Sequence, residues 1–187
     1  MAASSMERAI KSVFDRYFPL NEMKSHQMEV ISHIMNKKDV FCLLPTGYGK
    51  SMTFIMVPLL LNELNPEKKH TAVVISPLKA LMADQAEQLR QKGIKTAVLV
   101  ETTQLNDVKD SDPSIIFASP EAAILPKWTR ILREHLQKRI CLLAFDEAHC
   151  ISSWGLDFRP SYRQVAVLQS YFDVPTLVLT ATATRMI

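Results

Sequence analysis

Val40-Phe41-Cys42-Leu43-Leu44-Pro45-Thr46-Gly47-Tyr48-Gly49-Lys50-Ser51 joins an apolar run, short enough for one buried strand, to a turn with two glycines that ends on Lys-Ser. Met52 to Leu64 then read as helix. This is the layout of a phosphate-binding loop. Glycine lets backbone N–H groups crowd around phosphate oxygens with no side chain in the way, and a helix opening at Lys50 adds the positive end of its dipole. In such a loop Pro45, Thr46, Gly47, Tyr48 and Gly49 form the cradle, Lys50 reaches the β- and γ-phosphates, and the Ser51 hydroxyl sits on Mg²⁺. The strict pattern has a glycine where this chain has Leu44. On the loop alone, a glycine-containing turn between an ordinary strand and helix is the competing reading, and the second half of the chain separates the two.

The surrounding composition is that of a globular protein. A chain of 187 residues, 48% hydrophobic and 22% charged, is large enough to bury one core. No apolar stretch reaches the length of a membrane span, and Met1-Ala2-Ala3-Ser4-Ser5 has no signal-peptide core. Cys42, Cys141 and Cys150 make no CxxC pair, so neither a zinc site nor a disulfide framework is indicated, and Cys42 and Cys141 read as buried thiols in a reducing compartment. A net charge of +3 is compatible with a polyanionic partner but does not argue for one by itself.

Taken in order, Ser4-Ser5-Met6-Glu7 has the spacing of a capping box, and Ile10, Val13, Phe14 and Tyr17 predict a helix ending near Phe18-Pro19. A second helix is expected from about Lys24 to Met35, with Met23, Gln27, Ile31 and Ile34 on one side. Residues 1–36 are thus read as an N-terminal helical segment and 37–187 as the lobe that carries the loop. Beyond the loop helix, Thr71 to Ser76 is a β-branched run, and Leu78, Leu81, Met82, Gln85 and Leu89 repeat at helical spacing up to Gly93. Further strands are expected at Thr96 to Val100, Ser114 to Ala118, Ile140 to Phe145 and Thr176 to Thr180. Near-continuous apolar strands alternating with helices predict an α/β fold, a mostly parallel sheet covered on both faces. Ligands gather at the carboxyl ends of such strands, where Leu44, Ser76-Pro77, Ser119-Pro120-Glu121, Asp146-Glu147 and Thr180 fall.

The second anchor is Cys141-Leu142-Leu143-Ala144-Phe145-Asp146-Glu147-Ala148-His149, an apolar run that leads straight into two carboxylates. In a phosphate-loop enzyme Asp146 holds Mg²⁺ through its water shell, and Glu147 orients and deprotonates the attacking water. Either carboxylate alone would read as a cap or a solvated turn. A phosphate loop followed, about a hundred residues on, by a strand ending in Asp-Glu is far more specific.

At Asp146-Glu-Ala-His149 the chain resembles the first motor lobe of superfamily 2 helicases, and within them the RecQ family of DNA helicases, from about Phe14 to Thr184. Pro45 to Ser51 is similar to motif I, which commonly lacks the first glycine; Ser76-Pro-Leu-Lys-Ala-Leu-Met-Ala-Asp-Gln85 is similar to motif Ia, and Thr180-Ala-Thr182 to motif III. Cys150-Ile-Ser-Ser-Trp-Gly-Leu-Asp-Phe-Arg-Pro-Ser-Tyr162 resembles the aromatic-rich loop of that family. There Trp154 and Phe158 offer flat faces to unpaired bases, and Arg159 offers charge. The alternative, aromatics filling a core, fits poorly with the interleaved Gly, Asp, Arg and Pro.

The resemblance implies a RecA-like lobe using ATP and Mg²⁺, with Lys50, Asp146, Glu147 and His149 catalytic. It implies that Gln27 hydrogen-bonds the adenine edge while Lys24 packs on the ring, that Ser76 and Lys79 touch DNA, and that Thr180 and Thr182 couple the sites. It further implies a single-stranded or forked DNA partner, a second RecA-like lobe, and an intracellular, nuclear location. The chain departs from the family pattern in Lys24 for the usual Arg, in Leu20 where a stacking ring is often found, in Leu156 for the usual His, and in a short 101–113 segment. It stops just past motif III, so either a fragment or a truncated product is expected, one that binds ATP·Mg²⁺ weakly and does not unwind DNA by itself. Two alternatives stay open: a catalytically weak nucleic-acid-binding or regulatory module, and a DEAH-type RNA helicase lobe. A signalling GTPase is disfavoured by the absence of Asn-Lys-x-Asp.

Overall fold

The strands are β1 (Val40–Leu43), β2 (Thr71–Ile75), β3 (Thr96–Leu99), β4 (Ile115–Ala118), β5 (Ile140–Phe145) and β6 (Thr176–Thr180). They form one six-stranded sheet in the order β1-β6-β5-β2-β4-β3, with every pairing parallel. The computed structural model describes residues 2–19, 22–103, 108, 111–148 and 165–181. Each strand lies within a residue of the run that predicts it.

The helices are α1 (Ala2–Tyr17), α2 (Ser25–Met35), α3 (Lys50–Leu64), α4 (Lys79–Gln91), α5 (Pro120–Ala123) and α6 (Pro126–Glu134), with a 3-10 helix over Val165–Tyr171. α1 starts at Ala2, so Ser4 and Glu7 lie within the helix and do not cap its start. Alanine has the highest helix propensity, which favours extension through Ala2 and Ala3. α2 begins where expected, with Lys24 at the N-cap, and the Gln27 side chain accepts from the Lys24 backbone N–H at 2.9 Å. In α4 the buried residues are Met82, Ala86 and Leu89, whereas Leu78 is the exposed N-cap residue.

Alternation along the strands divides the core in two. On β2, Ala72 and Val74 face the cluster that holds α1 to α4, while Val73 and Ile75 face the cluster that holds α5, α6 and the 3-10 helix. The same period of two puts Phe117 on the first side and Ile116 on the second. α3 is buried along its whole middle, from Thr53 to Leu60, because α1 and α2 cover the side turned away from the sheet. Helices apolar all round occupy such positions. Ala9, Val13, Phe14, Val30, Ile31 and Ile34 therefore share one core with α3 and the strands. Among the described residues, no helix is long and apolar enough to cross a membrane.

Candidate functional site

Every expected site residue that the structure describes, apart from Lys24, Gln27 and Lys79, lies at or just beyond the carboxyl end of a strand, and backbone hydrogen bonds stitch these ends in series. Leu44 N donates to Thr180 O at 3.1 Å, Ala148 N to Leu179 O at 2.8 Å, and Asp146 N to Ile75 O at 2.8 Å. Ser76 N donates to Ala118 O at 3.1 Å, and Ser119 N to Leu99 O at 3.0 Å. Because β6 lies between β1 and β5, its end holds the glycine loop on one side and the acidic turn on the other. Thr180 is buried at that junction.

The loop turns tightly, with Tyr48 N donating to Pro45 O at 3.3 Å. Gly47 (φ +85°) and Gly49 (φ +80°) both occupy the left-handed region, which costs other residues free energy. Gly49 is also crowded: a Cβ there would stand 2.4 Å from Gln27 Nε2, the far end of a side chain that would have to give way. Lys50 opens α3, is 8% exposed, and folds its ammonium back over the loop to donate to Leu44 O at 3.0 Å. Its charge is thereby held over the turn whose N–H groups open α3. Ser51, half-buried, follows in the first helical turn. Thr53 Oγ1 donates to Lys50 O at 2.5 Å and steadies that turn.

At the end of β5 Asp146 is 5% exposed, and its Oδ1 accepts from Glu147 N at 3.0 Å. Glu147 has φ +53°, a left-handed conformation that costs a non-glycine residue about 1 kcal/mol or more. Among the described residues, no cluster of three or more His, Cys, Asp or Glu side chains could hold a metal ion. The oxygen donors of Ser51 and Asp146 suit a hard cation that takes its remaining ligands from water and phosphate.

The other expected residues divide as follows. Gln27 is buried, 3% exposed, and its Nε2 donates to Gly49 O at 3.0 Å. Lys24 places its ammonium 5.8 Å from the centre of the Tyr48 ring. Ser76 is buried at the end of β2, and its Oγ has no hydrogen-bond partner among the described residues. Lys79 is exposed and makes an ion pair with Glu101, 2.9 Å from both carboxylate oxygens. His149, Trp154, Phe158, Arg159 and Thr182 lie outside the described residues, as do Leu20 and Leu156. One contact had no sequence signal: His26 Nε2 lies 3.1 Å from Tyr48 O. Cys42, beneath the loop, has its thiol pushed up by burial, against the opposing charge of Lys50.

A family model described as DEAD/DEAH box helicase matches residues 24–187. The chain is 38% identical over 181 residues to the ATP-dependent helicase wrn-1 of Caenorhabditis elegans, covering 92% of this chain and 16% of that protein. It is 36% identical over 184 residues to the ATP-dependent DNA helicase RecQ of Bacillus subtilis, covering 93% and 29%. The ATP-dependent helicase SGS1 of Saccharomyces cerevisiae is 33% identical over 181 residues, covering 91% and 12%. The chain thus spans less than a third of the length of these relatives. The crystal structure of the DUF1998 helicase MrfA bound to DNA and AMPPNP superposes with a TM-score of 0.71 at 19% identity, over 97% of this chain and 27% of that one. At that identity the likeness shows the fold.

Proposed function

The chain belongs to the DEAD/DEAH box helicase family, with RecQ helicases among its relatives, and from that membership we propose that it is the ATP-binding lobe of an ATP-dependent 3′ to 5′ DNA helicase. The observation that carries this reading is the shared anchorage on β6: Leu44 N on Thr180 O and Ala148 N on Leu179 O. A strand end that holds both the phosphate loop and the acidic turn lets a change at one be felt at the other.

In this reading Lys50 neutralises the β- and γ-phosphates while Pro45 to Gly49 cradle them. Ser51 and Asp146 would hold Mg²⁺, which when bound would neutralise phosphate charge. Glu147 orients the attacking water and takes its proton. Gln27 and Lys24 attend the adenine. His149, Thr180 and Thr182 link this site to a DNA track made by Ser76, Lys79, Trp154, Phe158 and Arg159, on which single-stranded or forked DNA lies. Ser76 Oγ is buried without a hydrogen-bond partner among the described residues, so the end of β2 would have to open for a phosphate oxygen to reach it. Lys79 must release Glu101 to join the track. A second RecA-like lobe completes the motor, and the nucleus is the compartment that suits this work.

The test is ATP binding and hydrolysis with and without single-stranded DNA, beside Lys50→Ala and Glu147→Gln. Lys50→Ala is expected to lose nucleotide binding by tenfold or more, and Glu147→Gln to keep binding while losing turnover. Equal ATP affinity in Lys50→Ala and the parent chain would refute the phosphate-loop role. DNA-stimulated turnover that survives Glu147→Gln would refute the water-activating role.

A further inference from the structure

We propose that His26 is a positioning residue for the phosphate loop: its Nε2–H holds the Tyr48 carbonyl and so aims the next amide into the phosphate cradle. The inference rests on the reading of that loop as a nucleotide site and adds a residue that neither the motifs nor the resemblance assigns.

Two consecutive loop carbonyls are tied to the first turn of α2. Tyr48 O lies 3.1 Å from His26 Nε2, and Gly49 O accepts from Gln27 Nε2 at 3.0 Å as well as from Met52 N at 3.1 Å. A carbonyl can only accept, so His26 Nε2 carries the hydrogen. In a planar trans peptide the C=O of one residue and the N–H of the next point in opposite directions. Holding Tyr48 O and Gly49 O toward α2 therefore turns the N–H groups of Gly49 and Lys50 away from it. The Lys50 N–H is at the first helical position of α3, where no preceding turn offers a carbonyl to accept it. Both donors then face the place where an anion would sit at that helix start.

The tie matters because of its neighbours. Tyr48 stands between Gly47 and Gly49, both at positive φ, so the peptide between Tyr48 and Gly49 has glycine freedom on its far side and flips at low cost. The Gln27 bond secures the following peptide and leaves this one to His26. Tyr48 is also gripped through its ring. The His26 and Tyr48 ring centroids are 6.2 Å apart at 45°, and the Lys24 ammonium stands 5.8 Å from the same ring. Lys24, His26 and Gln27 thus act on two adjacent loop residues from one helical turn.

The experiment is a titration of the 187-residue chain with ATP·Mg²⁺ and, separately, with Mg²⁺-tripolyphosphate, which has the phosphates without the base. His26→Phe removes the donor, His26→Leu is a second non-donor should phenylalanine disturb the turn, and His26→Gln restores an N–H at similar reach. Both non-donors are expected to weaken ATP and tripolyphosphate alike, by about three- to tenfold. His26→Gln is expected to bind as the parent does, and thermal midpoints should stay level across the series. Rescue by glutamine is the readout that a packing role would not produce. Parent-like affinity in both non-donor variants would overturn the inference. A loss for ATP with none for tripolyphosphate would overturn it too, by assigning His26 to the base. If the parent chain itself binds neither ligand, the nucleotide reading fails first, and the two failures are thereby told apart.

Discussion

Gly47 and Gly49 look alike in the motif, yet only one of them is crowded. Both need a left-handed φ, but a Cβ on Gly47 meets nothing within 4 Å, whereas one on Gly49 stands 2.4 Å from Gln27 Nε2. Gly47→Ala is therefore expected to cost about 1 kcal/mol of stability, the left-handed penalty alone. Gly49→Ala is expected to cost about 2 kcal/mol or more, since the Gln27 amide must also move off Gly49 O. Urea unfolding of both variants measures the difference. Equal losses would mean that Gln27 yields freely and clamps nothing. Gln27→Ala should remove part of the Gly49→Ala penalty, and a double-mutant cycle would show the coupling.

Among the elements, α3 carries the most weight because it is the loop's own helix and the centre of one core. Phe54, fully buried, meets Phe117 of β4 edge to face, with centroids 6.1 Å apart at 86°. The contact fixes α3 against the sheet and with it the direction of its opening turn. Phe54→Ala is expected to lower the unfolding free energy by about 3–5 kcal/mol, and Phe54→Leu by markedly less, as cavity size dictates. Denaturant midpoints at constant slope would measure this. A loss below about 1 kcal/mol for alanine would mean that the core collapses around the gap and that α3 is not rigidly seated. The motif predicts a helix here, and the apolar content of Thr53 to Leu60 agrees with burial on all sides. That α1 and α2 supply the outer cover is visible only in the packing.

Across the whole molecule the two ends of the sheet differ in chemistry. The carboxyl ends hold the glycine loop, Ser76, Asp146, Glu147 and Thr180, while the amino ends are closed by structural polar contacts. There Asp112 pairs with both Lys69 and Arg139, Asp39 Oδ1 accepts from Thr176 N at 2.7 Å, and His70 N donates to Asn62 Oδ1 at 2.7 Å. Burial, reinforced by the charges of Lys68 and Arg139, holds the His70 imidazole below its ordinary pKa. The sign follows. As pH falls through the unfolded value near 6.5, the unfolded chain takes up the proton first, so stability declines from there until the lower folded value is passed. Well above the unfolded value both states are neutral and the contribution to the slope fades. His70→Gln is expected to flatten part of the stability loss between pH 7 and 5 in urea titrations; an unchanged slope would show that His70 titrates alike in both states.

What the sequence determined by itself is what local chemistry can encode. Parallel strands buried on both faces need apolar runs, a phosphate turn needs glycines at positive φ, and carboxylates at a strand end need only to follow the run directly. Hence all six strands and the order of motifs along the chain were legible. Tertiary structure decided what joins residues distant in the chain. The strand order that sets β6 between the loop and the acidic turn arises from how crossovers pack. The Lys79–Glu101 pair and the His26–Tyr48 contact each link residues 22 positions apart. No periodicity or motif marks such a contact, because it depends on where two backbones end up, and the same histidine on another helix face would meet only water.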